Sequence, residues 1–224
     1  MSSVVIAGDT SGTVTLAAPA VAGTTTLTLP TVTGTVLTTT SPKPGNVIQV
    51  VNVYDRQQSS YTASNIGNTY TNYGFDAAGF DLTTLDVTIT PSSTSSKILL
   101  LTSISLGNDD ETYGVMRLKR GIGGATPTFS SSSDWISANN SVPGTKILAG
   151  SYNATSRATP WTNRNIHFQW LDSPNTTSAV VYRFNFILEA DLGTTVYLNR
   201  SFYNTNDYGA TSSVSSVTLM EVAG

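Results

Sequence analysis

Val180-Val181-Tyr182-Arg183-Phe184-Asn185-Phe186-Ile187-Leu188 puts Val180, Tyr182, Phe184, Phe186 and Leu188 at every second position, with Arg183 and Asn185 between them. A period of two sends alternate side chains to opposite faces of an extended chain, so this stretch predicts a β-strand. The same period recurs on either side. Leu85, Val87 and Ile89 alternate with Thr84, Asp86, Thr88 and Thr90, which predicts a strand with one wet face. Lys97 to Leu106 predicts a more buried strand with Ile98, Leu100 and Ile104 on one face, and Ile166, Phe168 and Trp170 alternate with His167 and Gln169. Val47 to Tyr54, Val115 to Arg120, Lys146 to Ala149, Val196 to Arg200 and Val217 to Val222 complete the set. No long segment has a helical period, and Gly, Pro, Asn and Ser clusters separate the runs. The expectation is an all-β chain with an antiparallel, jelly-roll-like β-sandwich.

Working toward the N-terminus, the pattern changes. Gly12, Gly23, Gly34 and Gly45 recur every eleven residues, and the first three are followed by Thr13, Thr24 and Thr35. Leu16 and Leu27, Pro19 and Pro30, and Val21 and Val32 hold fixed places within the repeat. Each unit reads as a short Thr-rich strand, such as Val14-Thr15-Leu16 or Leu27-Thr28-Leu29, closed by Pro and then Gly. A unit so small cannot bury its own apolar side. Stacked repeats of one chain, or equivalent repeats of other subunits around a shared axis, would each supply the cover, and a disordered linker is the remaining alternative. Two or three copies are few for a solenoid, which favours the shared axis. Ser41-Pro42-Lys43-Pro44-Gly45 marks the boundary, giving a repetitive β-stem over 1–43 and a β-sandwich head over 44–224.

Composition narrows the function classes. Charged residues make up 11% of the 224 positions, against roughly 25% in an average domain. The net charge of −3 provides no electrostatic footprint for nucleic acid or an anionic membrane. The absence of cysteine excludes disulfides and thiolate chemistry. Met1 to Ile6 has no basic region before a long apolar run, so no signal peptide is expected, and no segment reaches the ~20 apolar residues that span a bilayer.

Catalytic and metal-binding chemistry finds little to work with. His167 is the only histidine and lies mid-strand, where a wet-face or interface role is expected. The three glutamates, Glu111, Glu189 and Glu221, are far apart in sequence, and a glycosidase would need a carboxylate pair. Asn108-Asp109-Asp110-Glu111 is a dense acidic run without calcium-loop spacing, and a solvated hairpin tip is expected there. The chain is therefore expected to be no enzyme and to need no cofactor or metal. Two aromatic-rich segments read as loops: Ser59 to Phe80, carrying Tyr61, Tyr70, Tyr73 and Phe75, and Ser201 to Tyr208, carrying Phe202, Tyr203 and Tyr208. Tyrosine presents a flat apolar face with a polar tip, which suits sugars or protein partners, and equally suits packing at a sandwich end. Trp135 and Trp161 share that ambiguity.

The run Gly8-Asp9-Thr10-Ser11-Gly12-Thr13-Val14-Thr15-Leu16-Ala17-Ala18-Pro19, continuing through Leu27-Thr28-Leu29-Pro30 to Gly34-Thr35-Val36-Leu37, resembles the stem of tailed-bacteriophage fibre and virion proteins. The head resembles, less specifically, the globular domain that follows such stems. The resemblance implies a homotrimer without cofactor, binding virion components at one end and a host-surface glycan or protein at the other. Gly12, Leu16, Pro19, Gly23, Leu27, Pro30 and Gly34 would then serve assembly, and the aromatic loops host recognition. A short tail fibre or receptor-binding fibre is the first expectation, a capsid decoration or head-fibre protein the second, and a polysaccharide depolymerase the third. The expected location is the virion, on tail or capsid surface. The chain lacks the sizeable attachment domain and the coiled coil of long fibres.

Overall fold

The computed structural model describes residues 3–17, 42–62, 80–108, 113–127, 150–153, 163–189, 195–205 and 210–224, with a few single positions between 20 and 31. The chain divides into two compact units, Met1–Leu37 and Thr38–Gly224.

Among the described residues the first unit contains one antiparallel pair, β1 (Ser3–Ala7) and β2 (Thr13–Ala17), with Val4 opposite Leu16 and Ile6 opposite Val14. The Gly8 N–H donates to the Gly12 oxygen at 3.0 Å, and Gly12 has a φ of 79°, a left-handed conformation that glycine adopts without steric cost. β2 contains the predicted Val14-Thr15-Leu16. β1 was not foreseen, because Ser3-Val4-Val5-Ile6-Ala7 has no alternation. Leu27-Thr28-Leu29, Pro19, Pro30 and Gly34 lie outside the described residues.

The second unit carries β3 (Val47–Asp55), β4 (Ser59–Thr62), β5 (Phe80–Asp81), β6 (Val87–Ile89), β7 (Lys97–Asn108), β8 (Tyr113–Ile122), β9 (Gly150–Asn153), β10 (Arg164–Asp172), β11 (Val180–Glu189), β12 (Thr195–Leu198) and β13 (Ser215–Val222). Its pairings are nested. β8 pairs β9, β7 pairs β10, β5 and β6 pair β11, and β3 pairs β13, every pair antiparallel. β4 and β12 pair between the last two, so the order among the described residues is that of a single long hairpin of five ladder segments. Rolling it up sets β13 beside β7 and β11 beside β8, again antiparallel. One sheet then runs β3-β13-β7-β10, with β12 and β4 continuing along the far end of β7, and the other runs β5/β6-β11-β8-β9. This is a jelly roll.

The register shows why the alternating sequence gives this sandwich. Val51, Leu219, Leu100 and Trp170 form one row across four strands, and Val53, Val217, Thr102 and Phe168 form the next. Both rows face inward. From the opposite sheet Met116, Leu118, Val180, Tyr182, Phe184 and Phe186 meet them in one buried cluster. Each fully buried apolar side chain of this kind contributes about 1.5–3 kcal/mol.

The structure departs from the sequence reading in several elements. The expected strand from Leu85 begins instead with a 3₁₀ turn, Thr83–Leu85, which still sends Leu85 into the core. Ser59 to Phe80 is not loop throughout, since β4 and β5 occupy its two ends. β12 stops at Leu198 because Asn199 takes a φ of 61°, which ends the extended run before Arg200. β9 was not predicted, and Lys146 to Ala149 lies outside the described residues.

Gly45 also has a positive φ, 89°, in the turn expected there; its N–H donates to the Ala223 oxygen at 2.8 Å and the Ala223 N–H donates to the Asn46 oxygen at 2.9 Å. These bonds extend the β3–β13 pairing beyond its Val47–Val222 end.

Candidate functional site

The aromatic residues singled out from sequence separate into two environments. Tyr61 pairs with Val196, and Ser60 with Tyr197, so alternation sends Tyr61 and Tyr197 to opposite faces of the β4–β12 pair. Tyr61 is half-buried, packs on the core and holds its ring 5.2 Å from that of Phe80. It is a strand residue covering the sandwich, not a loop tip. Tyr197 stands on the other face. There the Phe202 ring lies 5.7 Å from it and 4.8 Å from Tyr203, both edge-to-face. The Arg200 guanidinium lies over the Tyr197 ring at 4.0 Å, a cation–π distance. Tyr70, Tyr73, Phe75, Tyr208, Trp135 and Trp161 lie outside the described residues.

The base of this aromatic group is rigid. Arg200 Nη1 donates to the oxygens of Ser201 and Phe202 at 3.2 and 3.1 Å. Ser201 Oγ donates to the Tyr203 oxygen at 2.8 Å, accepts the Thr211 N–H at 3.1 Å, and is fully buried. Asn199 donates from Nδ2 to the oxygens of Asp55 and Gln57, both at 3.0 Å, and accepts from Ser215 Oγ at 2.6 Å. Gly107 approaches so closely that a Cβ there would stand 2.3 Å from the Arg200 oxygen. The outcome is a fixed platform. Phe202 is half-buried and Tyr203 is exposed, so the outermost ring of the group faces solvent. Arg200 and Tyr197 completed this group without being identified from sequence; the only sequence signal was their nearness to Phe202 in a short aromatic stretch.

The second candidate site is the β1–β2 ribbon. Cross-strand partners share a face, so Val4, Leu16, Ile6 and Val14 all project from one side. They are 61%, 56%, 55% and 62% exposed, respectively. Gly12 makes its turn, Leu16 lies on its apolar face, and Gly23 is a second glycine with positive φ, at 58°. An isolated two-stranded hairpin is marginal in water, and this one leaves its apolar face open.

The groups weighed for chemistry have structural surroundings. Glu221 is fully buried on β13: its Oε1 accepts the Ser92 N–H at 2.7 Å and Ser92 Oγ at 2.6 Å, while Oε2 accepts Gln49 Nε2 at 2.5 Å. Burial alone would raise its carboxyl, but the Ser92 and Gln49 hydrogen bonds outweigh burial and hold it below the usual range. His167 is exposed on β10 opposite Ser103. Glu111 and the Glu189 side chain lie outside the described residues, as do Asp109 and Asp110.

Two polar clusters brace the sandwich. Asp172 accepts Tyr182 Oη at 2.7 Å and pairs with Arg120, linking β10 of one sheet to β11 and β8 of the other. On the outer side of the second sheet Arg183 bridges Asp86 and Asp81, and Asn185 donates to Asp81 at 2.7 Å while accepting Arg117 Nε at 2.7 Å. Burial pushes the Arg117 guanidinium down to about 10, with Asp81 opposing, so it stays charged at neutral pH. Among the described residues no group of three acidic or histidine side chains has metal-binding geometry, and no helix is long and apolar enough to cross a membrane.

No protein-family model matches the chain. No curated protein matches it either. Solved structures overlap it at low similarity. The infectious bursal disease virus VP2 subviral particle aligns at 11% identity and a TM-score of 0.33, covering 78% of this chain and 38% of that one. The infectious bursal disease virus Gx strain aligns at 11% identity and a TM-score of 0.36, covering 94% and 51%. The chain thus spans about four-tenths to half of those chains. Likeness at this level carries no argument about what the chain does.

Proposed function

We propose that the chain is a non-enzymatic structural component of a bacteriophage virion, a short tail fibre or receptor-binding fibre that engages the host cell surface. The observation that carries this reading is the β1–β2 ribbon. Among the described residues four apolar side chains stand open on one face of a two-stranded sheet, whose second strand lies in the eleven-residue repeat that resembles a phage stem. Such a ribbon needs cover, and equivalent ribbons of a homotrimer supply it around a shared axis. The Thr-rich stem, whose charged side chains are Asp9 and Lys43, then anchors the protein to other virion components, since burying its strands desolvates few ions.

Host contact falls to the jelly roll. Phe202 and Tyr203, set on the buried Ser201 and Asn199 anchors, offer rings at fixed positions, and repetition in an oligomer multiplies weak contacts with a glycan or protein receptor. No nucleic acid, membrane insertion or cofactor enters this reading.

Adsorption of the purified protein to host cells tests it. The intact chain should block adsorption of particles, and Tyr203→Ala should weaken the block without lowering the unfolding midpoint. Unchanged adsorption alongside protein located on the capsid shell in particle images would replace the fibre with a capsid decoration protein.

A further inference from the structure

The outward face of the β3-β13-β7-β10 sheet breaks the rule that a wet sheet face is polar. Val50 pairs with Met220, Met220 with Leu99, and Leu99 with Leu171, so one row crosses all four strands with only apolar side chains. The adjacent inward row is Val51, Leu219, Leu100 and Trp170, which fixes the first row as outward by alternation. Val50 is 55% exposed and Leu171 48%, with Leu99 and Met220 half-buried between them. The next outward row, Asn52, Thr218, Leu101 and Gln169, is likewise uncharged.

We infer that this face is covered by another copy of the chain. Charge supports that occupant. The two central outward rows carry neither sign and the face's charge is confined to Lys97 at its edge, so it gives a charged partner little to steer toward and meets a copy of itself with little like-charge repulsion. Size supports it as well. Four strands about 4.8 Å apart and seven or eight residues long at about 3.4 Å each present roughly 20 by 25 Å. That projection is on the order of 500 Å², and side-chain relief raises the accessible area toward the ~800 Å² that each partner gives to a specific interface. The ribbon of the first unit exposes a second apolar face, and self-association covers both. The inference rests on the oligomer proposed above and assigns it a surface in the jelly roll.

The chain has no cysteine, so Leu171→Cys in the full-length protein gives a single site for a thiol-reactive spin label. The expected result is slow thiol modification, a dipolar coupling between copies that fades on dilution with unlabelled protein, and a fall in sedimenting mass for Val50→Lys/Leu171→Lys. Gln169→Cys, in the neighbouring row, provides the same readout without removing an apolar side chain. A parent oligomer whose label at either position reacts as fast as a free thiol and shows no coupling overturns the inference while leaving the oligomer standing. A parent that sediments as a monomer overturns both.

Discussion

Asn199 Nδ2 donates a 3.0 Å hydrogen bond to the main-chain oxygen of Asp55, tying the end of β12 to the end of β3 across 144 positions of sequence. Its second donation, to the Gln57 oxygen, and its acceptance from Ser215 complete the set, in which Asn199 and Ser215 are fully buried. Asn199→Ala strands those partners and strains a residue at a φ of 61°. The expected loss is about 2–4 kcal/mol. Asn199→Gly relieves the backbone but not the hydrogen bonds, so chemical denaturation should place it between the parent and the alanine variant.

Glu221 sets an acid limit. Its folded carboxyl is held below the ordinary value, so its stabilisation is complete above the unfolded pKa of about 4.3 and declines as pH falls through the folded value. Glu221→Gln removes that acid-side dependence. Unfolding midpoints measured from pH 6 downward should drop more steeply for the parent than for the variant. Equal slopes would show that Glu221 does not contribute to the acid limb.

Tyr182 sets the corresponding alkaline behaviour. Burial first, and then the Asp172 carboxylate, push its hydroxyl well above the usual tyrosine range. Its contribution is complete below the unfolded pKa of about 10 and is lost as pH rises beyond it. Phenolate absorbance should therefore show Tyr182 ionising only with unfolding. Tyr182→Phe should remove this delayed component and cost about 1–3 kcal/mol at neutral pH, because Asp172 loses a buried donor.

Gly107→Ala tests whether the aromatic platform depends on a close backbone approach. The new Cβ would lie 2.3 Å from the Arg200 oxygen and 2.9 Å from Ser201 Cα, so the segment under Phe202 has to move. A loss of about 1–3 kcal/mol is expected, as in other overpacked sites. Near-ultraviolet circular dichroism should change with it, since Tyr197, Phe202 and Tyr203 shift together. An unchanged aromatic spectrum would detach the platform from Gly107.

Elements that were legible in the sequence are those whose length lets alternation accumulate. Val180 to Leu188 and Lys97 to Leu106 show their inward faces directly, and both appear in the expected places. β4, β5 and β9 are two to four residues long and give no periodic signal. Tyr61 was consequently read as a loop residue although its cross-strand position turns it toward the core. The Tyr197–Arg200–Phe202 group was hidden for another reason. It depends on Asn199 reversing the chain, and an isolated asparagine does not announce a positive φ. The apolar outer row was hidden in the sequence because its four residues come from four distant strands.

β13 adds a constraint in time. It occupies positions 215–222 yet fills the gap between β3 and β7, whose own residues are made more than a hundred positions earlier. On the ribosome β3 and β7 therefore wait unjoined until this strand leaves the exit tunnel. A chain cut short before this point lacks Val217 and Leu219, so its inner rows stay open to water between β3 and β7. The topology thus makes synthesis through residue 222 a condition of closing the first sheet.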